Sequence, residues 1–191
     1  MTNNAGASIK GATGIMVQAG GASVINSGSI TGTSLNGIVA QATSTVTNNT
    51  GANITGGQNG IRVQNGAANV VNSGSITGTT DTGILAQAAV TVTNNASASI
   101  IGGQFGIASG GGAANVTNSG SITGTAGSGI FAQTDATVTN NAGATIVAGQ
   151  FGIRGNGGFA NVTNSGSITA TDSNFGTGII AFTNATVTSG I

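Results

Sequence analysis

Asn72-Ser73-Gly74-Ser75-Ile76-Thr77 is read three more times in this chain, beginning at Asn26, Asn118 and Asn164, so the phrase returns every 46 residues. Midway between its copies stands a related phrase, Val-Thr-Asn-Asn, at Val46, Val92 and Val138. Each 46-residue unit is a pair of similar half-units, which is the signature of a stack of repeats and not of a single globular core.

Aligned on these phrases, every half-unit carries three apolar anchors. They are Ile30, Ile38 and Val46 in one half-unit and Ile54, Ile61 and Val70 in the next. Eight such triplets run from Ile9, Ile15 and Val24 to Ile168, Ile179 and Val187. Short apolar segments separated by Gly, Ser, Asn and Thr read as strands joined by turns. Three strands in about 23 residues cannot bury their apolar sides alone, but coils stacked ~4.8 Å apart make three parallel sheets around one core. The expected fold is all-β: a right-handed, three-faced parallel β-helix, or β-solenoid, of about eight coils of 22 to 24 residues, roughly 38 Å long. It forms one domain over residues 1–191 with a 46-residue double repeat.

Composition agrees with this class. The 191 residues include 36 Gly, no Pro, Cys, His, Trp or Tyr, and only six charged side chains. Gly does not fall at every third position as collagen requires, and fixed Ile and Val register argues against a disordered tract. No run reaches the ~18 to 20 apolar residues of a spanning helix, and Met1 to Gly20 lacks the basic start and apolar centre of a signal peptide.

Two residues after each third anchor stands Asn: Asn26, Asn48, Asn72, Asn94, Asn118, Asn140 and Asn164, with Asn3 in the same place at the start. These eight are expected to form a structural ladder, each amide bonding to the amides above and below. The Asn-Gly pairs at Asn36, Asn59, Asn65 and Asn156 read as corner turns, because the strands they join must run parallel.

Without His or Cys there is no Ser-His-Asp triad, no Cys nucleophile and no ordinary zinc set. The only acids, Asp81, Asp135 and Asp172, fall in different coils, and no enzyme activity, metal or cofactor is expected from them. Lys10, Arg62 and Arg154 are too few to neutralise the phosphates of a nucleic acid. Beside the second anchors runs an outward column of Met16, Val39, Arg62, Leu85, Ala108, Phe131, Arg154 and Ile180, an interrupted apolar stripe that could serve lateral contact.

Flanking the third anchors, Thr45 and Thr47, Thr91 and Thr93, and Thr137 and Thr139 point outward, with Asn and Val intervening in alternate coils. On this one face the rows resemble those of ice-binding proteins, whose Thr-x-Thr ladders order water. The repeat phrases themselves, Asn-Ser-Gly-Ser-Ile-Thr-Gly at Asn26, Asn72 and Asn118 with Gly-Ile at Gly37, Gly83 and Gly129, resemble repeats of bacterial autotransporter and adhesin passengers over nearly the whole chain. That resemblance implies export, an extracellular or cell-surface location, a β-helical stalk, and roles in adhesion, aggregation or biofilm, with a host surface or matrix as partner.

Met1-Thr2-Asn3-Asn4 aligns with Val46-Thr47-Asn48-Asn49, and Val187 is a third anchor with Ser189 in the ladder position. Both ends are therefore expected to be open coils. Exposed strand edges invite pairing, and a heterologous contact that does not close gives a filament. Head-to-tail self-assembly is expected, with Met1, Phe175, Phe182, Val187 and Ile191 at the junction. The three extra residues between Ile168 and Ile179 are the counter-indication, reading as a partial cap.

Overall fold

A computed structural model describes residues 1–189. Among them the chain forms 23 strands and no helix, from Thr2–Asn3 to Ala185–Ser189. Every strand pairing is parallel, and each joins residues about 23 apart in the chain. The fold is a parallel β-solenoid of about eight coils.

The anchors set the register. On the first face Ile9, Ile30, Ile54, Ile76, Ile100, Ile122, Ile146 and Ile168 pair in succession. On the second face the succession runs from Ile15 through Ile84 and Ile130 to Ile179. On the third it runs from Val24 through Val92 and Val138 to Val187. The reason is that side chains of a strand alternate, so a slip of one residue would turn a whole row of Ile to solvent. All twelve of the largest fully buried side chains are Ile anchors of the first two faces, from Ile30 to Ile153. Burying each stabilises the stack by about 1.5 to 3 kcal/mol. Small partners such as Ala86, Ala132, Ala114 and Ala136 fill the space between them and keep the core narrow.

Two details depart from three separate short strands per coil. The first face is an 8-stranded sheet, but the second and third merge into one 15-stranded sheet. The merger is made by two long strands, Ile15–Asn26 and Ile38–Asn48, which run across the corner that every later coil breaks. Their pairing shifts register between Val17 and Gly21 and again before Ser23. In the later coils, turns such as Gly110 to Ala113 and Asn156 to Phe159 interrupt that corner. The third face carries an additional two-residue strand, in which Thr2 pairs with Ile25 and Asn3 with Asn26.

Gly before each second anchor from Ile15 to Ile153 is a packing requirement. A Cβ on Gly60 would lie 2.6 Å from the carbonyl oxygen of Gly83 and 2.7 Å from Cγ2 of Ile76. Any side chain there would push the second face away from the first.

Candidate functional site

The corner between the third and first faces holds the expected Asn column. Asn3, Asn26, Asn48, Asn72, Asn94, Asn118 and Asn140 are all buried. Each Nδ2 donates to Oδ1 of the next Asn at 2.8 to 2.9 Å, from Asn3 to Asn164, so every amide points the same way along the axis. Each Nδ2 also reaches a backbone carbonyl of the following turn, such as Ser121 O from Asn94 at 3.1 Å. A buried polar group is tolerated only when so satisfied.

The same corner explains why the repeat is 46 residues and not 23. From Asn26 onward the ladder spacings alternate between 22 and 24 residues. The longer turn contains the second Asn of the Asn-Asn phrase, and its Nδ2 donates to the Ser of the shorter turn one coil earlier. Asn49 bonds Ser27, Asn95 bonds Ser73 and Asn141 bonds Ser119, each at 2.8 Å. The shorter turn of the following coil lies close against the longer one: a Cβ on Gly74 would lie 2.7 Å from Asn49 O and closer still to Ala52 O. Each long turn is thus engaged by a short turn on either side. The long turns reach positive φ at Gly6, Gly51 and Gly143, with values of 74 to 77°, and at Ser97, where φ is 65°. Sequence reading missed this lock, although the regular offset between Asn-Asn and Asn-Ser was its visible trace.

The corner between the first and second faces is different. Asn59 Nδ2 donates to Asn36 Oδ1 at 3.0 Å, and the Thr82 amide donates to Asn59 Oδ1 at 3.3 Å. After Thr82 the column continues as Phe105, Ser128, Phe151 and Thr177. The Ser128 hydroxyl is buried without a hydrogen-bond partner. The remaining Asn-Gly residues, Asn65 and Asn156, lie in outer turns, where Asn65 donates to Gln41 Oε1 at 3.1 Å.

Outside the second face the stripe is not a uniform apolar row. Val39 and Ala108 are buried, shaded by longer neighbours in register. Phe131 pairs in register with Arg154, whose guanidinium lies 5.7 Å from the Phe131 ring centre and 5.1 Å from that of Phe151. Phe105 stands 5.5 Å from Phe131 at a tilt. None of the six Phe enters the buried core. Arg154 is thus held by two rings, and its Nη2 donates to Asn156 Oδ1 at 2.6 Å.

On the third face Thr45, Thr91 and Thr137 alternate with Asn69, Asn115 and Asn161. The second row is more continuous: Thr47, Val71, Thr93, Thr117, Thr139, Thr163 and Thr188, with five Thr in succession.

The three carboxylates stay apart, each engaged in its own turn. Asp81 accepts from the Thr82 hydroxyl, Asp135 from the Phe159 amide, and Asp172 from the amides of Asn174 and Phe175. No group of three or more metal-ligating side chains is found among the described residues. Two shallow hollows open on the surface. One of about 220 Å³ lies beside Arg154, Asn156 and Phe182, and one of about 260 Å³ lies between the turns at Gly51, Gly74 and Ser97. No helix among the described residues is long and apolar enough to cross a membrane.

In the last coil the inward positions lose their cover. Val187 is 54% exposed, Ile168 and Ile179 are only partly buried, and Phe175 and Phe182 are each 77% exposed. At the other end Met1 is exposed while its ammonium donates to Ser23 O at 2.7 Å. Ile191 lies outside the described residues. No family model matches the chain, and neither does any curated protein or solved structure.

Proposed function

We propose that this chain is an extracellular structural protein, a β-solenoid stalk or fibre of the bacterial cell surface resembling adhesin or autotransporter passengers, that assembles head to tail with copies of itself. The observation that carries the reading is the stack itself. Each coil pairs in parallel with its neighbour on equivalent residues, so one coil is a template for another of the same kind. The amide column supplies polarity, because each Nδ2 donates toward the C-terminal side from Asn3 to Asn164, and Ser189 holds the ladder position of the last coil. Phe175, Phe182 and Val187 of one copy and Met1 of the next are the junction residues in this reading. An adhesive role toward a host surface or matrix rests on the repeat resemblance alone.

Negative-stain electron microscopy across a concentration series tests the assembly. Unbranched fibres with a continuous ~4.8 Å axial repeat are the expected result. Uniform short rods that stay monomeric at every concentration overturn it.

A second reading is water ordering at an ice surface, favoured by the five consecutive Thr from Thr93 to Thr188 on one face. Its readout is thermal hysteresis of the soluble protein, abolished by bulky residues at Thr91, Thr93 and Thr137. No hysteresis in the unmodified chain removes it.

A further inference from the structure

Four Asn residues precede Gly, the dipeptide in which the following backbone nitrogen is least hindered from attacking the side-chain amide carbon. The fold treats the four unequally. Asn36 and Asn59 are buried, and the nitrogens that would attack, those of Gly37 and Gly60, are engaged in backbone hydrogen bonds to Asn59 O and Thr82 O at 3.0 and 3.1 Å. Asn65 and Asn156 lie in outer turns, and the amides of Gly66 and Gly157 make no hydrogen bond among the described residues.

What separates the last two is the state of the amide. Asn65 uses its Nδ2 as a donor to Gln41, and nothing among the described residues donates to its Oδ1. Asn156 receives the Arg154 guanidinium on Oδ1 at 2.6 Å, and that guanidinium is fixed against Phe131 and Phe151. A cation on the carbonyl oxygen draws electron density from the carbon and stabilises the oxyanion formed on attack. The adjoining chain, Gly155-Asn156-Gly157-Gly158, has glycine on both sides, and a hollow of about 220 Å³ beside Asn156 admits water.

We propose that Asn156 is a spontaneous modification site, converting to aspartate and isoaspartate ahead of every other asparagine in the folded chain. The Gly157 nitrogen gives its proton to solvent base and bonds to the Asn156 side-chain carbon. The bond to Nδ2 then breaks and ammonia leaves with a proton from water, closing a five-membered imide. Water opens the imide at either carbonyl, giving the α- or the β-linked acid. No oxidant or cofactor is needed. The product places a carboxylate against Arg154 and makes the formal net charge, zero in the unmodified chain, negative.

The test is incubation of the folded protein at mildly alkaline pH, with peptide mapping by mass spectrometry and chromatographic separation of the two acid products. Asn156 is expected to convert about tenfold faster than Asn65, the worth of one charge-assisted hydrogen bond, with Asn36, Asn59 and the corner column left intact. Arg154→Met, which keeps an apolar stem between the two rings, is expected to bring Asn156 down to the Asn65 rate without changing Asn65. In denaturant the four Asn-Gly sites are expected to converge. Conversion of Asn65 as fast as Asn156, an unchanged rate in Arg154→Met, or the same ranking in the unfolded chain each overturns the proposal. If Arg154→Met does not fold, the ranking of the unmodified protein with and without denaturant still decides it.

Discussion

Two corners of this solenoid began with the same device and kept it to different extents. Between the third and first faces, eight asparagines follow one another without a gap, and each carbonyl oxygen from Asn26 onward accepts the amide of the coil before. Between the first and second faces only Asn36 and Asn59 form such a pair, and the column then passes through Thr82 to Phe105, Ser128 and Phe151. An amide in a buried column needs partners on both sides, so a ladder is stable when complete and costly when it stops. At the second corner the Thr82 backbone amide closes the short ladder, and apolar rings take over beyond it.

Substitution should separate the corners. Asn94→Leu removes one rung from the middle of the long column and with it the bonds to the Asn72 amide, the Asn118 carbonyl and the Ser121 carbonyl, although Asn72 keeps Ser99 O and Asn118 keeps the Gly120 amide. A loss of about 3 kcal/mol or more is expected, read as a lower urea midpoint. Asn59→Leu orphans only the Asn36 carbonyl and the Thr82 amide, so a smaller loss of about 2 kcal/mol is expected. Equal losses would mean that the long column has no advantage beyond its individual bonds.

Ser97→Gly sharpens the comparison from the stabilising side. Ser97 holds a φ of 65° where its three equivalents are glycine, and a Cβ built on those glycines meets nothing within 4 Å. The cost of Ser97 is therefore backbone strain alone, and the change is expected to raise the thermal midpoint, with a gain of about 1 kcal/mol. Smallest is Ser128→Ala at the other corner. It removes a buried hydroxyl that has no partner and should stabilise by about 0.5 kcal/mol. A destabilised Ser128→Ala would show that the hydroxyl is bonded after all.

The fold was legible because its anchors repeat. With Ile and Val at fixed steps, only one register buries all three rows, and the paired residues from Ile9 to Val187 are those that alignment of the half-units predicts. The Asn column was legible for the same reason. The bonds from Asn49 to Ser27 and from Asn95 to Ser73 were not, because they depend on which turn overhangs which, a property of three dimensions that spacing only hints at. The long strands Ile15–Asn26 and Ile38–Asn48 were also hidden. Residues Gln41 to Thr43 look like any other turn, and the strand continues only because its neighbour is extended too. The Arg154 stack was only half visible: Phe131 and Arg154 are neighbours in the outward column, but Phe151, three residues before Arg154 on its own strand, was assigned to no column.

The interlock of long and short turns has a consequence for heredity. A gene for such a chain can be shortened or lengthened by unequal crossing-over between its near-identical phrases, and most products of that process in other folds would be ruined. Here loss or gain of DNA encoding a whole pair, as between Asn26 and Asn72, restores the same neighbours at the seam. Loss of a single coil sets two turns of one kind against each other, leaving an asparagine without its serine or two overhanging turns in one place. Parity, not length, is what such a lineage must keep.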